Sequence, residues 1–166
     1  MRIEGRARVF GDDVNTDYII SSRRKRETID GTQLRRYLFE GIDPAFASSV
    51  QDGDILVAGK NFGCGSAMEI AATVILSAGI RAVVARSFAR SFYRNAVNNG
   101  LVVVECDTTS VVEGDRLALR LDASTVRLDN VTRGGAVSGA PMPGIMRRIL
   151  ESGGLVGYLR GGGKFE

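Results

Sequence analysis

A glycine loop between a predicted strand and a predicted helix constrains this sequence more than any other stretch. Residues 55–58 form a short apolar run, the loop after it holds Gly63 and Gly65, and residues 70–79 are apolar at helical spacing. Glycines allow tight turns and leave backbone N–H groups open, and a helix start adds further unpaired N–H groups. The order of strand, loop and helix therefore predicts an anion site for a carboxylate or a phosphate.

The same loop also has a purely structural interpretation. Glu69 follows Ser66 by three residues, which is the pattern of a capping box at a helix start. The loop lacks the Lys-Ser/Thr pair of a phosphate-binding loop and the glycine spacing of a dinucleotide site. On these residues alone a structural role is favoured, and a nucleotide is not the expected ligand.

One domain spanning residues 1–166 is expected from the length and composition. The chain is 44% apolar, enough for an ordinary core, and contains no repeat and no long linker. Strands and helices alternate over residues 54–105, which predicts an α/β fold with a parallel sheet and right-handed crossovers. Short strands separated by turn residues follow after residue 106 and are expected to be antiparallel.

Further helices are predicted on both sides of the central loop. Residues 30–39 have helical spacing, residues 88–99 are expected to begin at an N-cap formed by Ser87 and to end at Gly100, and residues 143–153 close the fold. The glycine-rich tail at residues 161–163 is expected to be loose.

The composition restricts both partners and chemistry. The formal charge is only +3 and four consecutive cations account for much of the positive charge, which argues against a nucleic-acid surface. No apolar run approaches membrane length, and the absence of a signal peptide predicts a reducing cytoplasm. There is no histidine, and Cys64 and Cys106 are too few to hold an iron–sulfur cluster or a structural zinc unaided. Acid–base chemistry must then use other side chains or another subunit.

Two polar segments precede the central strand. Residues 15–17 are expected to form a turn closed by a side chain or to line a polar site. Residues 21–27 include the four cations and have two interpretations. They are either a solvated, mobile segment or a guanidinium clamp for a carboxylate.

Three motifs in register resemble one known family. They are GDDVNTD at residues 11–17, VAGKNFGCGS at residues 57–66 and RSFARSFYRNA at residues 86–96. Together they resemble the small subunit of isopropylmalate isomerase and its relatives, the swivel domain of the aconitase superfamily. The resemblance covers nearly the whole chain.

The resemblance implies a swivelling β/β/α domain that works with a separate large subunit. In that family the large subunit carries a [4Fe–4S] cluster, and the pair dehydrates and rehydrates a 2-hydroxy di- or tricarboxylic acid. The expected activity is the dehydration of 3-isopropylmalate in leucine biosynthesis. No metal ligand is expected in this chain.

The resemblance also implies site residues. Ser66 is expected to be the base that removes a proton next to a carboxylate, which requires neighbouring N–H groups to stabilise its ionised form. The expected substrate-binding residues lie in the glycine loop and in the two polar segments: Gly63, Cys64, Gly65, Ala67, Thr16, Asp17, Arg24 and Arg26.

One departure from the family pattern leaves alternatives open. Where the family reads Gly-Ser-Ser-Arg-Glu, this chain has Ala67 and Met68 in place of the second serine and the arginine. Neither side chain can bind a carboxylate or hydroxyl group of the substrate as the family's serine and arginine do. Either the substrate differs, or a cation from residues 23–26 substitutes, or the chain is a noncatalytic partner subunit.

The polar segment at residues 24–27 also bears on the substrate. It is polar where the branched tail of isopropylmalate would favour apolar contact, so methylmalate, dimethylmalate and homoaconitate-type acids are alternatives. A third possible class of function is an anion-binding module that acts alone.

Overall fold

One seven-stranded sheet organises the chain, in a computed structural model that describes residues 1–165. The strand order is β4-β3-β2-β1-β5-β6-β7. The strands are β1 (Arg2–Val9), β2 (Ile55–Ala58), β3 (Ala82–Ala85), β4 (Val102–Glu105), β5 (Arg116–Leu121), β6 (Val126–Asn130) and β7 (Ala136–Ser138). Strands β1 to β4 pair in parallel, whereas β5, β6 and β7 pair antiparallel. The predicted parallel region and the antiparallel strands after residue 106 are both confirmed.

Strand β1 joins the two parts of the sheet. Its residues 7–9 pair in parallel with residues 55–57 of β2, and its residues 2–6 pair antiparallel with residues 116–120 of β5. Gly5 permits this junction, because a Cβ atom there would lie 2.0 Å from the carbonyl oxygen of Gly53. A single strand therefore aligns the carboxyl ends of the parallel strands, where the glycine loop begins.

Eight α-helices surround the sheet within the described residues, and two of them flank the parallel strands. The helices are α1 (Thr16–Ile19), α2 (Ser22–Glu27), α3 (Gly31–Leu34), α4 (Phe46–Ser49), α5 (Glu69–Ser77), α6 (Arg90–Asn98), α7 (Gly144–Glu151) and α8 (Leu155–Arg160). The predicted helix over residues 30–39 is α3 followed by a short 3-10 turn (Arg35–Tyr37). Phe39 then adopts a φ of 58°, which ends the helical path.

The core lies between the parallel strands and helices α5 and α6. Strands β2 and β3 are buried at every residue, as expected for strands covered on both faces. Phe62 and Phe92 are buried with ring centroids 5.1 Å apart. Burial of each such aromatic side chain contributes about 1.5–3 kcal/mol. The glycine loop therefore rests on a rigid apolar base.

A buried ion network fixes the segment before β2 to strand β1. Asp54 is 1% exposed and accepts hydrogen bonds from Arg6 and Arg8. Arg8 also donates to Glu113 at 2.7 Å, and its guanidinium lies 4.3 Å from the ring centroid of Phe46. Both charges of the Arg8–Asp54 pair are therefore compensated inside the protein.

Two expectations about helix ends and termini are wrong. Ser87 does not cap α6, which begins at Arg90, because the Ser87 hydroxyl accepts a 2.8 Å hydrogen bond from the N–H of Asn61. The tail at residues 161–163 is not loose, because it follows α8 and returns over the buried ring of Tyr158. The Tyr158 hydroxyl donates to the carbonyl of Lys164 at 2.7 Å. By contrast Gly100, with a φ of 84°, ends α6 as predicted.

Candidate active site

At two positions the glycine loop has a left-handed backbone conformation that favours glycine. Gly63 and Gly65 have φ values of 78° and 89°, in the left-handed region. A Cβ atom on Gly63 would lie 2.2 Å from Cγ of Phe92, and one on Gly65 would lie 2.5 Å from Oδ1 of Asn15. Both glycines are thus required by conformation and by close approach.

The segment at residues 14–16 holds the glycine loop through three hydrogen bonds. The N–H of Gly63 donates to the carbonyl of Val14, and the N–H of Thr16 donates to the carbonyl of Cys64, both at 2.8 Å. The hydroxyl of Thr16 donates to the carbonyl of Ser66 at 2.9 Å. The structure therefore brings together Thr16 and the loop residues, which the sequence placed in two separate motifs.

Ser66 is exposed at the top of this loop. Within residues 1–165 its hydroxyl forms no hydrogen bond, and the N–H groups of Gly65, Ser66 and Ala67 donate none. These open N–H groups precede helix α5 by a few residues. The arrangement can stabilise a negative charge on Ser66 or on a bound carboxylate.

The capping-box prediction for Ser66 and Glu69 is wrong. Helix α5 begins at Glu69, its N-cap is Met68, and no side chain bonds to its first N–H groups. Met68 is only 6% exposed because its side chain packs into the core. The helix therefore starts later than a capping box at Ser66 would require, and the Ser66 hydroxyl is left free for chemistry.

Asn15 forms a turn with Asp17 and packs against the glycine loop. The Asn15 side chain accepts a 2.9 Å hydrogen bond from the N–H of Asp17, which is the expected turn closed by a side chain. Asp17 is exposed and accepts a 2.5 Å hydrogen bond from the hydroxyl of Ser22. Asn15 also packs directly against Gly65, a role that residue type and position in the sequence did not indicate.

The four consecutive cations lie on a helix rather than in an irregular loop. Helix α2 begins after Ser21, whose hydroxyl accepts from the N–H of Arg24. The Arg24 guanidinium donates to both carboxylate oxygens of Glu40 and stacks 3.7 Å from the ring centroid of Tyr37. Its hydrogen bond with Glu40 raises the pKa of Arg24. A substrate contact by Arg24 stays a prediction, and it would require Arg24 to leave Glu40.

Arg26 lies on the same helix and is exposed. No hydrogen bond or ion pair joins it to the glycine loop in the part of the chain that the structure describes. The sequence did not single out Lys25, yet its ammonium nitrogen contacts Sδ of Met68. Of the four cations, Lys25 is therefore the one that the fold places against the start of α5.

Comparison with known proteins decides the family. The profile of the aconitase C-terminal domain matches residues 12–109. The chain is 44% identical to the 3-isopropylmalate dehydratase small subunit of Methanosarcina acetivorans, over 95% of this chain and 96% of that relative. The chain belongs to the aconitase C-terminal domain family.

Two further members of this family are similar over nearly their whole length. A methanogen homoaconitase small subunit from Methanocaldococcus jannaschii is 44% identical, over 96% of this chain and 92% of that relative. A crystal structure of a 3-isopropylmalate dehydratase from the same organism superimposes with a TM-score of 0.91 at 43% identity, covering 97% of this chain and 95% of that one. The predicted swivel-domain fold is thereby confirmed.

Enzymes of the aconitase family carry a [4Fe–4S] cluster, but the residues of this chain do not fit one. Among residues 1–165, no group of three or more His, Cys, Asp or Glu side chains could hold a metal ion. Cys64 is half-buried in the glycine loop, whereas Cys106 is buried, and burial raises the pKa of its thiol to about 11. Three or four thiolates are normally needed to bind such a cluster.

Membrane association through a spanning helix finds no support in residues 1–165. No helix there combines the length and the apolar character needed to cross a bilayer.

Proposed function

We propose that this chain is the small subunit of a 3-isopropylmalate dehydratase and that it is active only with its large subunit. The similarity extends over nearly the full length of relatives that carry this name. The observation that carries the proposal is the free hydroxyl of Ser66, exposed on a loop with open N–H groups and anchored by buried Thr16. A dehydratase made of two subunits needs such a base on the surface that faces its partner subunit.

Ser66 acts in this proposal as the base that removes the proton next to a substrate carboxylate. An ordinary serine hydroxyl is far too weak a base, so its ionised form needs stabilisation. The positive end of helix α5, which begins three residues later, supplies it. The N–H of Gly63 already donates to Val14, so Gly63 shapes the loop, while Cys64, Gly65 and Ala67 hold a substrate carboxylate.

The remaining requirements are assigned to the large subunit. Residues 1–165 hold no ligand set for the cluster, so the large subunit would carry it, together with the other substrate contacts. We also assign the assembled enzyme to the cytoplasm, as expected for a biosynthetic enzyme with reduced cysteines.

A second candidate substrate is an acid with an additional carboxylate. It is favoured by the similarity to a homoaconitase small subunit and by the cations of helix α2, particularly the exposed Arg26. Methylmalate and dimethylmalate are smaller candidates for the same polar surface. Thr16 and Asp17 stay proposed residues of the substrate site. Thr16 would act through its hydrogen bond to the carbonyl of Ser66.

Activity of the reconstituted enzyme tests the proposal. The full chain is combined anaerobically with its large subunit and assayed with 3-isopropylmalate, homoaconitate, methylmalate and dimethylmalate. Ser66→Ala is expected to lower kcat by at least about 100-fold, the usual contribution of a positioned base. Ser48→Ala is the control, because Ser48 is exposed on α4 and its hydroxyl bonds only to the carbonyl of Ala45.

Three results would contradict parts of the proposal. Turnover that survives Ser66→Ala removes Ser66 as the base. An intact complex with an intact cluster that turns over none of the acids indicates a noncatalytic subunit. Failure of the chain to copurify with any large subunit indicates an anion-binding module that acts alone.

A further inference from the structure

Helix α2 directs its cations to different places. Consecutive residues of a helix point about 100° apart, so neighbouring side chains meet different surroundings. Arg24 is held between Glu40 and Tyr37. Arg23 is 79% exposed and has only a 3.9 Å contact with Glu27. Lys25 is half-buried and lies toward the glycine loop.

The ammonium of Lys25 lacks a negative partner within residues 1–165. It contacts the thioether sulfur of Met68 and forms no ion pair with a carboxylate of these residues, whereas Arg24 beside it has two. A thioether is only a weak hydrogen-bond acceptor, and a partly desolvated charge is costly without an anion. A lysine of this length could extend into solvent, as lysines usually do.

Met68 connects this cation to the loop that carries the proposed base. Met68 is two residues from Ser66 along the chain, so their Cα atoms are at most about 7 Å apart. The open N–H groups of Gly65, Ser66 and Ala67 lie in the same stretch. An anion that contacted both the Lys25 ammonium and these N–H groups would sit next to the Ser66 hydroxyl.

We infer that Lys25 binds one carboxylate of the dicarboxylic acid substrate and so positions that acid against Ser66. This inference rests on the proposed function and selects one residue from the four cations at residues 23–26, among which the sequence did not choose Lys25. Lys25 and the loop N–H groups together give the anion a full charge and several directed hydrogen bonds, which a thioether at position 68 cannot provide. Lys25 is a determinant of specificity for diacids, whereas Arg24 is paired with Glu40 in this structure.

Steady-state kinetics of the reconstituted complex test the inference with three variants. Lys25→Met removes the charge and keeps most of the unbranched side chain, Lys25→Arg keeps the charge, and Arg23→Met removes an exposed charge from the same helix. Lys25→Met is expected to raise the KM of the preferred diacid at least tenfold, since a hydrogen bond to a charged group contributes about 1.5–3 kcal/mol. Lys25→Arg should retain most of the affinity, and Arg23→Met should change KM by less than about twofold.

A binding experiment separates a carboxylate contact from a general effect on the loop. Malate and its monoamides compete for the site of the reconstituted complex, and calorimetry gives their affinities. Wild type should prefer malate to the monoamide that lacks the recognised carboxylate, and Lys25→Met should lose at least about tenfold of that preference. A structural role alone would weaken both ligands equally.

The outcomes distinguish this inference from the proposed function. The role of Lys25 is overturned if wild type and Lys25→Met show the same ratio of malate affinity to monoamide affinity. It is also overturned if neither protein binds malate or its monoamides. An active wild type with an unchanged KM in Lys25→Met does the same and leaves the dehydratase activity standing. A wild type that binds malate through Lys25 but turns over no acid contradicts the proposed function alone.

Discussion

The hydroxyl of Thr16 donates a 2.9 Å hydrogen bond to the backbone carbonyl of Ser66, although the two residues are 50 positions apart in the chain. Thr16 is 1% exposed, so a buried side chain from one motif holds the backbone of the proposed base in another. The backbone N–H of Thr16 donates a second hydrogen bond to the carbonyl of Cys64. The position of Ser66 is therefore set by packing at the start of α1 as well as by its own loop.

Thr16→Val is expected to weaken both catalysis and stability. Valine removes the donor, and the Ser66 carbonyl then loses its partner, at a cost of about 1–3 kcal/mol. A less firmly held Ser66 should lower kcat about tenfold. Urea unfolding of the chain and kcat of the reconstituted enzyme measure the two effects. Thr16→Ser keeps the hydroxyl and is the control, and a Thr16→Val enzyme with wild-type kcat would show that the bond does not position Ser66.

Gly63→Ala should destabilise the chain more than Gly114→Ala. Both glycines have positive φ, 78° and 85°, and each substitution therefore adds backbone strain of about 1–2 kcal/mol. Only at Gly63 would the new Cβ also collide with Phe92, whereas nothing lies within 4 Å at Gly114. Overpacking adds about 1–3 kcal/mol. Urea unfolding measures the loss of stability in both variants. Equal losses would contradict the predicted clash between the new Cβ atom and Phe92.

The stability difference between wild type and Asp54→Asn should shrink in acid. Burial alone would raise the pKa of Asp54, but hydrogen bonds from Arg6, the N–H of Gln51 and Arg8 lower it below its ordinary value. Its stabilisation is thus complete above the unfolded pKa of about 3.9 and is lost as the pH falls through the lower folded pKa. At pH 7 the substitution should cost about 3 kcal/mol, because Arg6 loses its carboxylate partner and the buried charge of Arg8 loses one of its two.

Denaturant unfolding from pH 7 to pH 2.5 gives this difference directly. Asp122→Asn is the control, because Asp122 is an exposed carboxylate that forms no ion pair in the described residues. A gap between wild type and Asp54→Asn that stays constant down to pH 2.5 would contradict the assigned pKa direction.

Arg24→Gln and Glu40→Gln are expected to be non-additive in their effect on stability. They break the same bidentate pair, so the double variant should be little less stable than either single variant. The KM of the reconstituted enzyme then assigns Arg24. An increase in Arg24→Gln that Glu40→Gln does not share indicates that Arg24 leaves Glu40 to bind substrate. Equal KM values indicate a structural residue only.

Cys64 should react with iodoacetamide well before Cys106. Cys106 is buried, and at pH 8 a thiol with a pKa of about 11 is only about 0.1% thiolate, the reactive form. Cys64 is half-buried on the glycine loop and is accessible to the reagent. Peptide mass spectrometry after timed labelling measures both sites. Unfolding in urea should make the rates similar, and fast labelling of folded Cys106 would contradict its burial.

Local patterns in the sequence were sufficient to predict the strand, the glycine loop and the helix, and to place Ser66 between them. Apolar period and β-branched runs identified β2 to β4, and Gly79 and Gly100 identified the ends of α5 and α6. These signals are reliable because they depend on residues near each other in the chain. The two-part sheet followed from the change in spacing and turn residues after residue 106.

Only the tertiary structure decided how polar side chains are used. Ser66 and Ser87 both follow capping patterns, yet Met68 is drawn into the core and is the N-cap of α5 instead, while the N–H of Asn61 bonds to the Ser87 hydroxyl. The cations of α2 look alike in the sequence, but Glu40 binds one and Met68 contacts another. Hydrogen bonds and ion pairs form with whatever partner the packed chain brings within about 3 Å, and partners far apart in sequence leave no local pattern.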